Sequence, residues 1–134
     1  MTAGQQRGRE ERVLACGTTL SLGDDGIVRV LPAQGMTEDL DTTTEMLAAG
    51  RELLAGRRVP LLYDSRPLRA ITVAAQRELV KRSGELISAL ALVMSSPIHR
   101  AAAKVFLRAL RTPVPTRVFS GEAEALAWLR ARAG

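Results

Sequence analysis

Residues 89–94 read ALALVM, six apolar positions in a row, and they stop dead at Ser95-Ser96-Pro97. Apolar side chains without alternation suit a strand buried on both faces. Ser96 is a good N-cap, and Pro97 falls at the first helical position, where its missing N–H costs nothing. A strand that feeds a helix this directly is half of a βαβ unit, and the rest of the chain has to be arranged around it.

Other strand and helix signals alternate along the chain. Residues 18–22 and 27–31 are short β-prone runs joined by Gly23-Asp24-Asp25-Gly26, the turn chemistry of a hairpin. Thr37 or Asp39 opens a helix to about residue 55, with Met36, Leu40, Leu47 and Leu54 forming one inward face, the leucines at seven-residue spacing and Thr43 and Gly50 between them. Glu38, Asp39 and Asp41 fit the start of that helix, where the dipole favours anions, and Gly56 fits its end.

Residues 59–63 are the next strand, ending at Asp64-Ser65-Arg66-Pro67. Thr72 caps a helix to about residue 83, stopped by Gly84, with Val73, Leu79 and Val80 facing in. The central strand then runs over 87–94 and its helix over 97–110. On that helix Ile98, Ala101, Ala102, Val105 and Ala109 form one stripe, widened by Phe106 and Leu110. Residues 116–119 form a short last strand. Ser120 starts a final helix that buries Ala125, Leu126, Trp128 and Leu129.

The order β-β-α-β-α-β-α-β-α gives an α/β domain whose mixed sheet has four to five strands, mostly parallel, with right-handed crossovers. Residues 1–16 read as a flexible arm and residues 17–134 as the domain. The opening MTAGQQRGR resembles a phage-capsid leader tag used in expression vectors, so it is set aside from the fold.

Charge is uneven. Residues 1–45 hold four Arg and eight acids, a net of −4, while residues 46–134 hold fifteen cations and six acids, a net of +9. A basic half suits nucleic acid or anionic lipid. Nucleic-acid binding by stacking also needs exposed aromatics, and Tyr63, Phe106, Phe119 and Trp128 all stand at apolar, core-type positions. Nucleic acid is therefore not expected, and membrane contact is expected to be peripheral at most. One cysteine, Cys16, excludes an internal disulfide and a thiolate metal cluster. Asp24 and Asp25 lack the companion ligands of a calcium loop. Without a signal-peptide or membrane-length apolar run, the expected compartment is the cytoplasm.

The candidate site follows from topology. Ligands of open α/β sheets collect beyond the carboxyl ends of the strands. Two parallel strands end at Asp64-Ser65-Arg66 and at Ser95-Ser96, with helix N-termini just beyond. Arg66, Arg69, His99 and Arg100 lie on those loops or first turns, so they are placed to hold a carboxylate or phosphate, with Met94 and Ile98 as an apolar wall. The plainer alternative makes Ser96 only a cap, leaves His99 and Arg100 exposed, and pairs Asp64 with a nearby Arg.

Asp64, Ser65, Ser95 and His99 contain the residue types of a hydrolase triad, but no G-x-S-x-G elbow accompanies them. Neither phosphate-loop nor dinucleotide fingerprint occurs. No enzyme, metal or cofactor is expected.

VPLLYDSR at 59–66, SPIHR at 96–100, VFL at 105–107, PVPTRVF at 113–119 and EALAWL at 124–129, in this element order, resemble the STAS (anti-sigma-factor antagonist-like) superfamily. The resemblance is closest to its SpoIIAA-like, STAS/SEC14 branch of uncharacterised bacterial proteins. It implies one of two jobs. The first is a non-catalytic module that binds a small anionic or lipid-like ligand in a cleft that opens and closes. The second is a partner-switching regulator or homodimer. Antagonists of the superfamily are phosphorylated on a serine where the third strand's loop enters its helix. That place here is Thr72-Val73-Ala74-Ala75, without serine, which leaves Thr72 as the phosphoacceptor.

Overall fold

The apolar run is a strand buried on both faces inside a six-stranded sheet, next to its last strand. The structure, a computed structural model, describes residues 10–133. In chain order it comprises β1 (Glu10–Val13), β2 (Thr19–Leu22), β3 (Val28–Leu31), β4 (Thr37–Glu38), α1 (Leu40–Leu54), β5 (Val59–Asp64), β6 (Ala70–Ile71), α2 (Val73–Leu86), β7 (Ile87–Val93), α3 (Pro97–Leu110), β8 (Thr116–Phe119) and α4 (Glu122–Ala133). The sheet order is β1-β2-β3-β5-β7-β8. Its first two pairings are antiparallel and the other three parallel.

The domain is α/β, as the element order predicts, and it gains a strand. Residues 1–9 of the expected arm lie outside the described residues. Residues 10–13 are not arm but the edge strand β1, paired with β2 from Glu10↔Leu22 to Val13↔Thr19. All four of its side chains are exposed. Beyond its backbone ladder it makes one ion pair, Glu10 with Arg57 at 4.0 Å, and a charged strand of that kind carries no hydrophobic period to find.

The connections β3-α1-β5, β5-α2-β7 and β7-α3-β8 all step the same way across the sheet. Right-handed crossovers therefore put α1, α2 and α3 on one face. Under them Leu20, Leu22, Val28, Val30, Tyr63 and Leu90 pack with Met46, Leu47, Leu53, Leu54 and Leu79. On the other face α4 alone presses Ala125 and Leu129 onto Ile27, Leu62, Ala89, Ala91, Val93 and Phe119. From Ala89 on, the odd positions of β7 serve α4 and the even ones the three-helix face, the period of two that a pleated strand imposes; Ile87, before the register shift against β5, packs on the three-helix side.

Capping follows the sequence. Asp39 accepts from Thr42 N–H at 2.9 Å while Thr42 Oγ1 accepts from Asp39 N–H at 3.0 Å. Thr72 Oγ1 accepts from Ala75 N–H at 3.1 Å, and Ser96 Oγ from His99 N–H at 3.3 Å. Gly84 is not a stop. α2 runs on to Leu86, and a Cβ on Gly84 would lie 3.2 Å from the Pro113 ring, so the glycine lets the helix approach the lead into β8. Leu40 and Val73, both expected inside, are about half exposed on the first turns of their helices.

The expected stripe on α3 is split. Ile98 is 79% exposed and Val105 68%, Ala101 and Ala109 are exposed too, and none of the helix's residues is buried. Of the expected face, Phe106 and Leu110 are half-buried, and Ala102 and Phe106 turn inward together with Ala103 and Leu107. Apolar residues occupy more than one side of this helix, so its period allows two phases. The sheet takes the bulkier one, which removes more area from water.

Two-residue strands β4 and β6 pair in parallel beyond the main sheet. They bring in Glu38, whose carboxylate is 1% exposed and accepts from the hydroxyls of Tyr63, Thr42 and Thr43. Burial first, and the Glu38 charge second, raise the Tyr63 pKa, so the phenol stays a donor. Replacing Tyr63 by Phe removes one donor from a buried acceptor, and stability in urea should fall by about 1–3 kcal/mol.

At the hairpin turn, hydrogen bonds from Arg29 chiefly, then the Ile27 N–H, lower the Asp25 pKa from 3.8 to about 2 despite some burial. A carboxyl whose folded pKa is depressed stabilises fully above its unfolded pKa and loses that contribution as pH falls through the folded one. Melting temperature should therefore drop between about pH 4 and pH 2, and Asp25→Asn should flatten that part of the profile.

Candidate functional site

Asp64 on β5 is in register with Val93 on β7, so the two chains leave the sheet side by side on one rim. Ser65 fastens the first exit to the second strand: its N–H and Oγ both donate to the Val93 carbonyl, at 3.0 and 2.7 Å. From that rim α2 and α3 run back over the sheet. α2 packs chiefly against α1, and α3 chiefly against β8. The space between them is a cleft of about 690 Å³.

Its floor is Tyr63, Leu90 and Leu92. One wall is Gln76, Leu79 and Val80 of α2, and the other is Ala102, Ala103, Phe106 and Leu107 of α3. Leu68, Ala70 and Ile71 close one end, so the β4–β6 pair shapes the pocket as well as anchoring Glu38. The interior is thus apolar. Polar groups gather at the rim, where Ser65, Arg66, Arg69, Ser95, Ser96 and His99 line the opening.

These six of the nine expected site residues are brought together. Asp64, Ile98 and Arg100 are not among the lining residues. Asp64 follows Tyr63 on a pleated strand and so turns to the opposite face, where it borders a shallow hollow with Arg29 and Glu122. Ile98 points outward. The Arg100 guanidinium donates to the Met94 and Ser95 carbonyls at 2.9 and 2.8 Å, which ties the first turn of α3 to the end of β7. Of the expected apolar wall, Met94 is present.

Arg66 is only partly free at the rim. Its Nε and Nη2 donate to both oxygens of Asp64, at 2.8 and 2.7 Å. Burial pushes the Asp64 carboxyl up, but the Arg66 hydrogen bonds and charge outweigh it and the net shift is down. The pair is the fork-to-fork kind that holds both partners in place. Arg69 differs. Its side chain is exposed and forms no hydrogen bond or ion pair among the described residues, while its N–H donates to the Met36 carbonyl at 2.8 Å. The His99 ring is likewise without a partner among the described residues.

Thr72 stands at the entry to α2, half-buried, its hydroxyl engaged as the cap. Leu68, Ile71, Gln76 and Leu107 were not anticipated as lining. Their common signal is position: each lies on a loop or helix that a crossover brings back over the β5–β7 pair.

The chain is similar to an uncharacterised protein from the DUF3478 family with a SpoIIAA-like fold, from Shewanella loihica PV-4. The TM-score is 0.61 and the identity 20%, over 79% of this chain and 85% of the other. At that identity the likeness shows the fold, and the fold is SpoIIAA-like. The chain is also similar to a protein of unknown function from Arthrobacter sp. FB24, with 31% identity over 82% of this chain and 90% of the other, at a TM-score of 0.33. No curated protein matches. The family model that does match is DUF7793, a domain of unknown function, over residues 21–132, and the chain belongs to that family.

Proposed function

We propose that the domain is a non-catalytic binding module whose cleft takes a small amphipathic molecule, apolar in its body and anionic at its head. The observation that carries this is the contrast inside one cavity. About 690 Å³ of space is walled by Leu, Val, Ile, Ala and Phe side chains, and a cation without a partner among the described residues, Arg69, stands at its mouth. A volume of that size suits a ligand of a few hundred daltons, and a mostly apolar cavity with few convergent polar groups is the usual form of such sites. Arg69, His99 and the N–H groups at the start of α3 supply hydrogen-bond donors for a carboxylate or phosphate.

As a partner-switching regulator, the alternative, the protein would be phosphorylated on Thr72. That hydroxyl already caps α2, and no serine neighbours it. The contents of the cleft favour the ligand.

Saturated fatty acids of graded length and the matching alcohols are suitable probes, read by thermal shift and native mass spectrometry on the full chain. Acids of medium length should raise the melting temperature more than their alcohols. Arg69→Glu should weaken acid binding about tenfold or more, the weight of one charge-assisted hydrogen bond, and leave the alcohols and the unliganded melting temperature unchanged. Leu92→Trp should fill the floor and abolish both. No stabilisation by any probe, or equal response of Arg69→Glu and wild type, would remove the support for this site.

A further inference from the structure

Side chains on the outer face of α3 lie in two parallel rows. Ile98, Ala101, Val105 and Ala109 follow one another at steps of three and four, which keeps them on one line of a helix. All four are exposed, and Ile98 and Val105 are two of the six large apolar residues that the described part of the protein leaves in water. The adjacent row is Lys104, Arg108 and Arg111, also exposed and in no ion pair among the described residues. Pro97–Leu110 contains no acid. The helix is about 21 Å long at 1.5 Å per residue; the apolar row runs nearly its whole length, and the cationic row covers its C-terminal half and ends at the C-cap Arg111.

We infer that this face docks on an anionic membrane surface, with the apolar row at the headgroup–acyl boundary and the cationic row over the lipid phosphates. An exposed apolar line beside a purely basic one is the arrangement of a helix that lies in the interface plane. No helix among the described residues is long and apolar enough to cross a membrane, so contact is by this surface.

Charge decides between the possible occupants. Two copies meeting through this face would bring their cationic rows together with no acid on the helix to answer them. Nucleic acid would satisfy the cations, but both rings of the helix, Phe106 and His99, line the cleft instead of the outer rows, and nothing remains to match the apolar row. An anionic bilayer answers both rows. The inference does not depend on what the cleft holds.

Flotation of the full chain with vesicles tests it. Wild type should float with phosphatidylcholine vesicles that contain phosphatidylglycerol and not with phosphatidylcholine alone, and added salt should weaken the association. Lys104→Glu with Arg108→Glu should lower partitioning by about a hundredfold, and Ile98→Asp with Val105→Asp by about tenfold or more. Because all four residues are exposed, melting temperatures should stay within a few degrees of wild type. Failure of wild type to float with the anionic vesicles overturns the inference. So does flotation that the apolar variants leave intact, which would be bulk adsorption of a basic protein. A solution dimer that Val105→Asp dissociates, or tighter retention on nucleic acid than on vesicles, overturns it as well.

Discussion

Three crossovers that step the same way across one sheet impose a burden on a chain of this size. Each must be right-handed, so all three helices crowd one face, while the return after β8 leaves a single helix for the other. α1 and α2 meet this by packing on each other and on the sheet through Met46, Leu47, Leu53, Leu54 and Leu79. α3, at the far edge, has β8 as its main support. Two features follow from that shortage of neighbours: the gap on its inner side is the cleft, and the bare row on its outer side is an exposed apolar line.

Much of this was legible in the sequence because the determinants were local. ALALVM followed by Ser-Ser-Pro fixes a strand, a cap and a helix start within nine residues, and the hairpin turn and the caps Asp39 and Thr72 are equally self-contained. The shared rim at positions 65 and 96 follows from two parallel neighbours alone. The rotation of α3 about its axis was not legible. Residues 98, 101, 102, 105 and 109 make a cleaner helical line than 103, 106, 107 and 110, but Phe106 and the two leucines carry more apolar area. Period reports which residues share a face. It does not report which face meets the sheet when both are apolar, and Ile98 was misassigned to the site for that reason.

Other omissions have different causes. β1 reads EERV and packs nothing, so only its backbone pairing with β2 reveals it. β4 and β6 are two residues each, too short for any pattern. Glu38 belongs by sequence to an acidic cluster at a helix start, and its neighbours Asp39 and Asp41 behave that way. Glu38 does not, because the β4–β6 pairing draws it under Tyr63, where three hydroxyls replace its water. A buried carboxylate is tolerable when hydrogen bonds answer it. Here they also bind three elements to one point, the β4 strand, the first turn of α1 and the end of β5, and so hold the closed end of the cleft against the sheet.

That polar anchor and the loosely supported α3 make the two sides of the cavity unequal. The Tyr63 and β6 side is fixed by a fully satisfied buried network, and such networks specify one arrangement closely. The α3 side is held by half-buried Phe106, Leu107 and Leu110, by the Arg100 bonds to two carbonyls at its first turn, and by no buried residue. Elements with little buried apolar contact open at the lowest free energy in a fold. Displacement of α3 therefore costs less than a change at the Glu38 end, and the Arg100 bonds to the Met94 and Ser95 carbonyls tie its first turn to the end of β7. Inner and outer faces of α3 belong to one helix, so Phe106 and Leu107 cannot leave the floor without carrying Ile98 and Val105 with them.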